Sequence, residues 1–420
     1  MWQLNQPLKF IIVLGSLVLI WLLTCFKVHI AKYSWLEYSA ADGGPENVCN
    51  CSAILQGDKE AVDRAKLLLI TKDFRKNIHI PDEYYIHATQ DCRKFKLARK
   101  YITFSLSQEE EDFPLAYSMV VHHKVQNFER LLRAIYAPQN IYCVHVDKKS
   151  EASVFSAIEA ITSCFPNVFM VSQTVNVVYA AWSRVQADLN CMADLYNAST
   201  KWKYFINVCG QDFPLKTNLE IVRMLRSLKG GNSLETEKMP EAKKSRVTNV
   251  YQIVNDNIQA TGQAKEPPPF NLPIFSGNAY IVVNRGYVHS VLTNEHIHTL
   301  MEWAKDTYSP DEFLWATIQR IPDVPGSTWP NPKYDMTDVN AISRLVKWRW
   351  HEGSQGSLEA VYPECQGIHV REICVYGAGD LPWMIQQHHL FANKFDIDTD
   401  PIPVYCLEEY LRQKALAQSN

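Results

Sequence analysis

The stretch Tyr308–Trp315 places two adjacent carboxylates, Asp311 and Glu312, at the start of a predicted helix that continues with apolar residues. Ser309 suits an N-cap and Pro310 a first helical position, so the Ser-x-x-Glu spacing predicts a capping box in which Glu312 bonds back to the Ser309 amide. The same carboxylate, held at a rigid helix end, could instead act as a general base. The octapeptide alone favours the structural cap, because carboxylates are common in first turns.

A second candidate for chemistry is positive charge that could neutralise a diphosphate. Asp396–Asp398 (Asp-Ile-Asp) has the Asp-x-Asp pattern that can hold a metal ion on a nucleotide diphosphate, but it follows no predicted strand, so we interpret it as a surface loop. After the fourth predicted strand, where such a motif would be expected, Gly210–Asp212 (Gly-Gln-Asp) offers one carboxylate. A departing diphosphate still needs positive charge, and Arg371 and Lys394 are the candidates. The alternative is that both are ordinary surface cations.

Three further segments could form part of a site. Lys347–Trp350 alternates basic and aromatic residues, which is typical either of an edge strand or of a platform that stacks on a sugar ring. Cys365–Cys374 has the length of a small disulfide loop with Arg371 inside it. His122 and His123 follow the first predicted strand, where they could bind a ligand or simply cap the strand end.

Alternating strand and helix patterns from Pro114 onward must position these residues. The predicted strands are 116–121, 141–146, 167–171 and 204–208, with helices at 127–136, 150–164 and 181–196 between them. This order predicts an α/β fold with a mostly parallel sheet flanked by helices. Ligands bind at the carboxyl ends of strands in such sheets, so His122, Asp147 and Gly210–Asp212 lie at the expected place. No GxGxxG follows the first strand and no GxxxxGK[ST] occurs, so neither a dinucleotide fold nor a P-loop is supported.

Composition excludes several classes of protein. The chain has 420 residues, 47% of them hydrophobic, which is enough for a substantial folded core. A net charge of −3 argues against a nucleic-acid-binding protein. The 11 cysteines show no CxxC pair and no Cys/His metal spacing, so a zinc site is not expected.

The N-terminal segment has the pattern of a membrane anchor. Residues 10–26 form an uninterrupted, mostly aliphatic run with no small-x-small cleavage site after it, which predicts an uncleaved single span. The sequons at Asn50 and Asn197 and the ten cysteines after the run fit an oxidising lumen. We therefore expect a cytoplasmic tail at 1–9, an anchor at 10–26, a stem and N-terminal region at 27–90, and a lumenal catalytic domain at 91–420.

Several stretches together carry a resemblance to a known family. They are Ala116–His123, Leu131–Tyr136, Asn140–Asp147, Gln186–Cys191, Gly210–Pro214, Asp306–Glu312, Val375–Asp380 and Phe391–Asp396. The chain resembles the mucin-type β-1,6-N-acetylglucosaminyltransferases, that is, the core 2 branching enzymes with their core 4 and I-branching relatives. The resemblance runs from about residue 90 to the C-terminus, whereas the anchor and stem are similar only in kind.

The resemblance implies a type II Golgi membrane enzyme with a GT-A-like nucleotide-sugar-binding fold. Its implied reaction moves N-acetylglucosamine (GlcNAc) from UDP-GlcNAc to the 6-hydroxyl of N-acetylgalactosamine (GalNAc) in core 1 O-glycans of mucin-type glycoproteins. The anomeric centre is inverted, and neither a metal ion nor another cofactor is required. Core 3 glycans or the galactose of poly-lactosamine remain alternative acceptors, a non-catalytic glycan-binding protein is a rival from another class, and a homodimer is left open.

The resemblance also implies roles for individual residues. Glu312 would be the catalytic base, and Arg371 and Lys394 would neutralise the diphosphate. The implied uridine and ribose residues are Val120, His122, Asp147 and Tyr179, and the implied acceptor residues are Glu235, Lys243, Arg246, Glu312 and Trp350. The implied disulfides are Cys51–Cys406, Cys92–Cys164, Cys143–Cys191 and Cys365–Cys374, with Cys209 free near the donor and Cys49 left over.

Three departures from the family pattern lie on the presumed acceptor side. Val247 stands where the family usually has Trp, Trp350 stands where core 2 enzymes carry Tyr, and Glu359–Tyr362 replaces the usual Gly-Ala-Pro-Tyr. The donor chemistry is therefore better indicated than the identity of the acceptor.

Overall fold

The computed structural model describes residues 49–71, 74, 79–353 and 360–418. The predicted tail (1–9), the predicted anchor (10–26) and the stem up to residue 48 lie outside the described residues, as does Glu359 in the third departure. Within the described ranges, no helix combines the length and the apolar character needed to cross a membrane.

The chain alternates between helices and strands from residue 115 to residue 209. The described α-helices are α1 (Cys51–Leu55), α2 (Lys59–Leu68), α3 (Asp82–Ala88), α4 (Cys92–Ala98), α5 (Gln108–Glu111), α6 (Val125–Ile135), α7 (Ala152–Thr162), α8 (Trp182–Asn197), α9 (Asn218–Ser227), α10 (Ser245–Thr248), α11 (Arg285–Thr293), α12 (Glu295–Ala304), α13 (Leu314–Ile318), α14 (Leu381–Met384) and α15 (Ile402–Gln418). Short 3₁₀ helices cover Glu241–Lys243, Pro269–Asn271, Pro310–Glu312, Pro332–Tyr334, Arg349–His351 and Ala378–Asp380.

The strands form one large sheet and several small ones. They are β1 (Leu115–Val121), β2 (Ile141–Val146), β3 (Val168–Met170), β4 (Tyr204–Cys209), β5 (Asp212–Pro214), β6 (Ser233–Leu234), β7 (Glu237–Lys238), β8 (Asn249–Val254), β9 (Asn257–Ala264), β10 (Phe275–Ser276), β11 (Ile281–Asn284), β12 (Arg344–Val346), β13 (Ile368–Val370), β14 (Ile373–Val375) and β15 (Phe391–Asn393).

The central sheet has the strand order β3–β2–β1–β4–β11–β6. The first four strands run parallel, while β11 is antiparallel to both β4 and β6. The prediction of an α/β fold with a mostly parallel sheet is confirmed. The strands β1 and β2 are apolar runs buried along nearly their whole length, as expected for parallel strands covered on both faces. One face packs on α8, α11, α12 and α13, in a core that includes Phe205, Val283 and Trp315.

A second, smaller sheet has the order β12–β15–β5. Its residues Phe213, Leu345 and Ala392 share a core with apolar side chains of α1, α14 and α15. The disulfide Cys51–Cys406 joins α1 to α15 across this core. Because β5 follows β4 after a short turn, the small sheet begins beside the carboxyl end of the large one.

Candidate active site

Asp147 lies directly after β2, at the carboxyl end of the central sheet, and only 4% of it is exposed. Its amide donates to the Val121 carbonyl (2.8 Å), and its Oδ1 accepts from the backbone amides of Lys149 (3.1 Å) and Val177 (3.3 Å). His122 follows the neighbouring strand β1; partial burial lowers its pKa, and Asp147 acts in the opposite direction. These two predicted donor residues therefore lie together at the sheet edge.

Arg371 sits at the turn of the β13–β14 hairpin, with a φ of 52°. The disulfide Cys365–Cys374 closes the base of this hairpin. The guanidinium carbon of Arg371 lies 4.6 Å from the centroid of the Tyr179 ring, and 66% of Tyr179 is exposed. Two more of the predicted donor residues are thus in contact, in an arrangement that leaves the aromatic ring open to solvent.

Lys394 follows β15 and is half-buried. Burial lowers its pKa, and the positive charge of Arg371 acts in the same direction, whereas Cys209 and Asp212 oppose both. The structure therefore brings the two cations proposed for the diphosphate within electrostatic range of each other. Repulsion between like charges is relieved when an anion binds between them.

Cys209 ends β4 beside these cations. Val120, another predicted donor residue, pairs with it in register between β1 and β4. The Asn393 side-chain amide donates to the Cys209 sulfur (3.5 Å). Burial and, to a smaller extent, the charge of Asp212 raise the pKa of the Cys209 thiol to about 12. The thiol is consequently protonated at neutral pH and is a poor nucleophile.

The predicted capping box at Ser309–Glu312 is wrong. Ser309 has a left-handed backbone (φ 47°) and makes no side-chain cap, and Pro310–Glu312 forms a 3₁₀ turn rather than the first turn of an α-helix. The Glu312 amide donates to the Ser309 carbonyl (2.9 Å), and the Ser309 amide donates to the Ala180 carbonyl (2.7 Å). The backbone thus supplies the partners that a capping box would supply, and the Glu312 side chain is free for other contacts.

The Glu312 carboxylate forms an ion pair with Arg246, through Oε2 and Nη1. The Arg246 carbonyl accepts from the Tyr308 amide (3.0 Å), and the Glu312 carbonyl accepts from the Gly277 amide (2.7 Å). Next to it, burial and, to a smaller extent, the charge of Glu312 raise the pKa of Asp311 to about 6. Of the two adjacent carboxylates, Glu312 is therefore the one that forms an ion pair among the described residues.

Glu235 and Lys243 lie on the same side as Arg246. Burial, with a smaller contribution from the charge of Asp338, raises the pKa of Glu235 to about 8, although Lys243 acts in the opposite direction. The Lys243 ammonium donates to the Ser276 hydroxyl (3.2 Å). Glu312 also contributes to the raised pKa of Glu235, so the predicted base and the predicted acceptor residues share one electrostatic environment.

The segment Lys347–Trp350 is not an edge strand, because β12 ends at Val346 and a 3₁₀ helix covers Arg349–His351. The rings of Trp348 and Trp350 stack with centroids 4.8 Å apart and planes inclined by 17°. Trp350 remains 60% exposed, which fits the alternative of a stacking platform.

Asp338 was missed in the sequence. Its Oδ2 accepts from the Trp348 indole (3.2 Å), and its charge raises the pKa values of Glu235 and Tyr362. Asp338 therefore links the stacked Trp348–Trp350 pair to Glu235, one of the predicted acceptor-binding residues. The sequence contains no local motif that marks it, because its partners are distant along the chain.

The remaining predicted residues are placed as follows. All four disulfides implied by the resemblance are present, and Cys49 and Cys209 are free thiols. The sequon residues Asn50 and Asn197 are both exposed. Asp396 and Asp398 form ion pairs with Lys124 (2.5 and 2.8 Å).

Among the described residues, two groups of side chains are close enough together to hold a metal ion: Cys49 with Cys51 and Cys406, and Glu352 with Cys365 and Cys374. None of these residues belongs to the central sheet. In each group two cysteines form a disulfide, so no set of thiolates is available there.

Comparison with known proteins gives consistent matches. A family model described as Core-2/I-Branching enzyme matches residues 115–385. The β-1,3-galactosyl-O-glycosyl-glycoprotein β-1,6-N-acetylglucosaminyltransferase of Homo sapiens is 56% identical over 376 residues, covering 90% of this chain and 88% of that protein. Proteins of the same name are 56% identical in Bos taurus (93% and 90% covered) and 58% identical in Bovine herpesvirus 4, strain LVR140 (87% and 83% covered).

Proposed function

Because the chain belongs to the Core-2/I-branching enzyme family, we propose that it is an inverting β-1,6-N-acetylglucosaminyltransferase acting on core 1 O-glycans. It transfers GlcNAc from UDP-GlcNAc to the 6-hydroxyl of GalNAc and produces core 2 branches. The family match and the names of relatives that are 56–58% identical support this reaction. A GT-A-like fold is part of the proposal, because the candidate donor residues line the carboxyl ends of parallel strands.

On the donor side, Asp147, His122 and Val120 bind the uridine and ribose, and Tyr179 and Arg371 flank the nucleotide. Arg371 and Lys394 neutralise the diphosphate. Positive charge fixed in place stabilises the charge that develops on the leaving group, without reorganisation during the reaction. In this proposal the two side chains supply the charge that a divalent ion supplies elsewhere, so no metal is required.

On the acceptor side, Glu312 removes the proton of the sugar 6-hydroxyl as its oxygen attacks the anomeric carbon. The bond between that carbon and the β-phosphate oxygen breaks in the same step, and UDP leaves with the electron pair. Attack from the face opposite to the leaving group inverts the anomeric centre. Glu235, Lys243 and Arg246 hold the acceptor sugars, and Trp350 stacks on one of them.

The observation that carries this mechanism is the position of Glu312 between the two sets of residues. Its side chain pairs with Arg246 of the acceptor set. Its own 3₁₀ turn is bonded through the Ser309 amide to the Ala180 carbonyl, one residue after Tyr179 of the donor set (2.7 Å). A base located there can reach a hydroxyl that approaches the donor sugar.

The decisive experiment is transfer from UDP-GlcNAc by the full-length chain in detergent, with core 1, core 3 and poly-lactosamine acceptors assayed separately. We expect a β-1,6-linked product on core 1 to form fastest, with the linkage identified by NMR. Faster transfer to core 3 or to poly-lactosamine would reassign the acceptor. Glycan binding without release of UDP on any acceptor would contradict the proposal and favour the non-catalytic alternative.

We further propose a Golgi type II orientation, with the anchor at 10–26 and the catalytic domain in the lumen, where a homodimer could form. The apolar run, the sequons and the four disulfides support this topology. N-glycans on Asn50 and Asn197, detected as a mass shift after glycosidase treatment, would test it. An unglycosylated protein that carries reduced cysteines would contradict it.

A further inference from the structure

Asp212 occupies the place after β4 where a metal-binding carboxylate would be expected, yet only 2% of it is exposed. Its Oδ2 accepts from the Cys209 amide (2.7 Å) and lies 3.2 Å from Nη2 of Arg344. Its Oδ1 accepts from the side-chain amide of Asn393 (2.8 Å). Both oxygens of this carboxylate are therefore engaged inside the protein.

Arg344 is itself fixed. It is 1% exposed, and its Nη2 also donates to the Asn207 carbonyl of β4 (2.7 Å). Its guanidinium carbon lies 4.5 Å from the centroid of the Tyr280 ring and 4.8 Å from that of Phe391. The Arg344–Asp212 pair thus connects β4, β5, β12 and β15 at one point, and Asp212 has little freedom to move.

The site where the Arg344–Asp212 pair connects these strands lies next to Lys394, because Asn393 directly precedes Lys394 in the chain. Asn393 pairs in register with Asp212 between β15 and β5, and on the other side of Lys394 the Phe395 amide donates to the Gln211 carbonyl (2.8 Å). The turn 210–212 therefore holds the chain on both sides of the cation. Among the described residues the Lys394 ammonium has no ion-pair partner, so its charge is available to a ligand.

We propose that Asp212 is a positioning residue for the diphosphate site: through Asn393 it fixes the place from which Lys394 meets the phosphates. The inference rests on the proposed function, because it assigns to Lys394 the role described above. The carboxylate at the usual metal position then serves the cation that replaces the metal. Asp212 touches neither substrate nor metal in this arrangement.

Two substitutions separate this role from simple stability. Asp212→Asn replaces one carboxylate oxygen, which accepts hydrogen bonds, by an amide NH₂ group that faces other donors. It also leaves Arg344 buried without a negatively charged partner, which lowers the stability of the fold. Asn393→Ala is milder, because it removes the link to β15 but keeps the Arg344–Asp212 pair. Asn140→Ala is a matched control, since Asn140 is a buried side chain (1% exposed) at the amino end of β2, where it bonds to Tyr142 and Asn218.

The experiment measures affinity of the full-length variants for UDP and for uridine, which lacks phosphates. We expect Asn393→Ala and Asp212→Asn to weaken UDP binding about 10-fold or more, the size of one lost charge-assisted contact, while uridine binding is unchanged. Neither should weaken UDP binding further in a Lys394→Ala background, because all three act on the same contact. Asn140→Ala should bind both ligands as the unmodified chain does.

The outcomes distinguish the positioning role of Asp212 from the proposed function of the site. If Lys394→Ala weakens UDP binding but Asn393→Ala does not, the positioning role is wrong and the proposed function stands. Equal weakening of UDP and uridine by Asn393→Ala, or effects that add to that of Lys394→Ala, would also overturn it. If Lys394→Ala binds UDP normally, the donor assignment itself fails.

Discussion

Arg246 and Glu312 form an ion pair in which the side chains are 26% and 34% exposed. The arginine engages Oε2, and Oε1 of the glutamate has no hydrogen-bond partner among the described residues. A hydroxyl group that enters beside Arg246 therefore meets a carboxylate oxygen that is oriented and unoccupied. In the proposed mechanism, this pair holds the base in a defined position before the acceptor binds.

The first prediction concerns this base. Glu312→Gln keeps the shape of the side chain but removes its ability to take a proton, so kcat should fall by about 10²–10⁴ while UDP affinity changes little. Steady-state transfer rates and direct UDP binding measure the two effects. Glu302→Gln is the control, because Glu302 is an exposed residue of α12 whose ion pair is with Lys305, just beyond the end of that helix. Near-normal turnover of Glu312→Gln would show that Glu312 is not the catalytic base.

The second prediction concerns metal ions. If Arg371 and Lys394 neutralise the diphosphate, transfer should continue at an unchanged rate in excess EDTA and should not rise when manganese is added. Arg371→Ala and Lys394→Ala should each weaken UDP binding, since a charge-assisted contact contributes about 1.5–3 kcal/mol. Strong inhibition by EDTA that manganese reverses would show that an ion is needed.

The third prediction concerns pH. Glu235 has an ordinary pKa of 4.5 and one of about 8 in the folded chain, chiefly because it is buried. Between these values the folded state holds more protons than the unfolded state, so this residue makes the protein less stable as pH rises from about 4.5 to about 8. Glu235→Gln removes the titration.

Thermal melting of both proteins at pH 5 and pH 8 measures the effect. The variant should gain stability relative to the unmodified chain as pH rises, and the gain should be complete above pH 8. Because other titrating groups are shared, they cancel in the difference. An equal difference in melting temperature at both pH values would contradict the raised pKa.

The fourth prediction concerns the exposed tryptophan. Trp350→Ala removes the open face of the Trp348–Trp350 stack and should raise the acceptor KM by roughly 2- to 10-fold, because aromatic stacking contributes about 0.5–1.5 kcal/mol. The KM for UDP-GlcNAc should stay the same. Trp350→Tyr should retain most of the acceptor affinity. If the KM for UDP-GlcNAc changed instead, Trp350 would belong to the donor side of the site.

The sheet could be predicted because local pattern decides it. Runs such as Ala116–Val121 and Ile141–Val146 are mostly apolar, and the structure extends the first by one residue and reproduces the second. The helices predicted at 127–136 and 181–196 begin and end within two residues of α6 and α8. Short, mostly apolar runs are typical of strands that are buried on both faces, so the sequence alone indicates them.

Contacts between distant segments could not be predicted in this way. Arg344, Asp212 and Asn393 belong to three different strands, and their positions along the chain do not indicate that they meet. The capping box failed for the same reason, because the hydrogen bond from the Ser309 amide to the Ala180 carbonyl and the ion pair with Arg246 both depend on tertiary structure. The sequence of Lys347–Trp350 is compatible with an edge strand or with a stacking platform, and the end of β12 at Val346 excludes the edge strand.

The bridge between Cys51 and Cys406 spans 355 positions of the chain, nearly the whole folded body. A protease that severs one peptide bond inside that span leaves two fragments tied through sulfur. The nicked protein would migrate as a single band until a reductant is added, and the C-terminal fragment would not be released from the fragment that begins at the N-terminus.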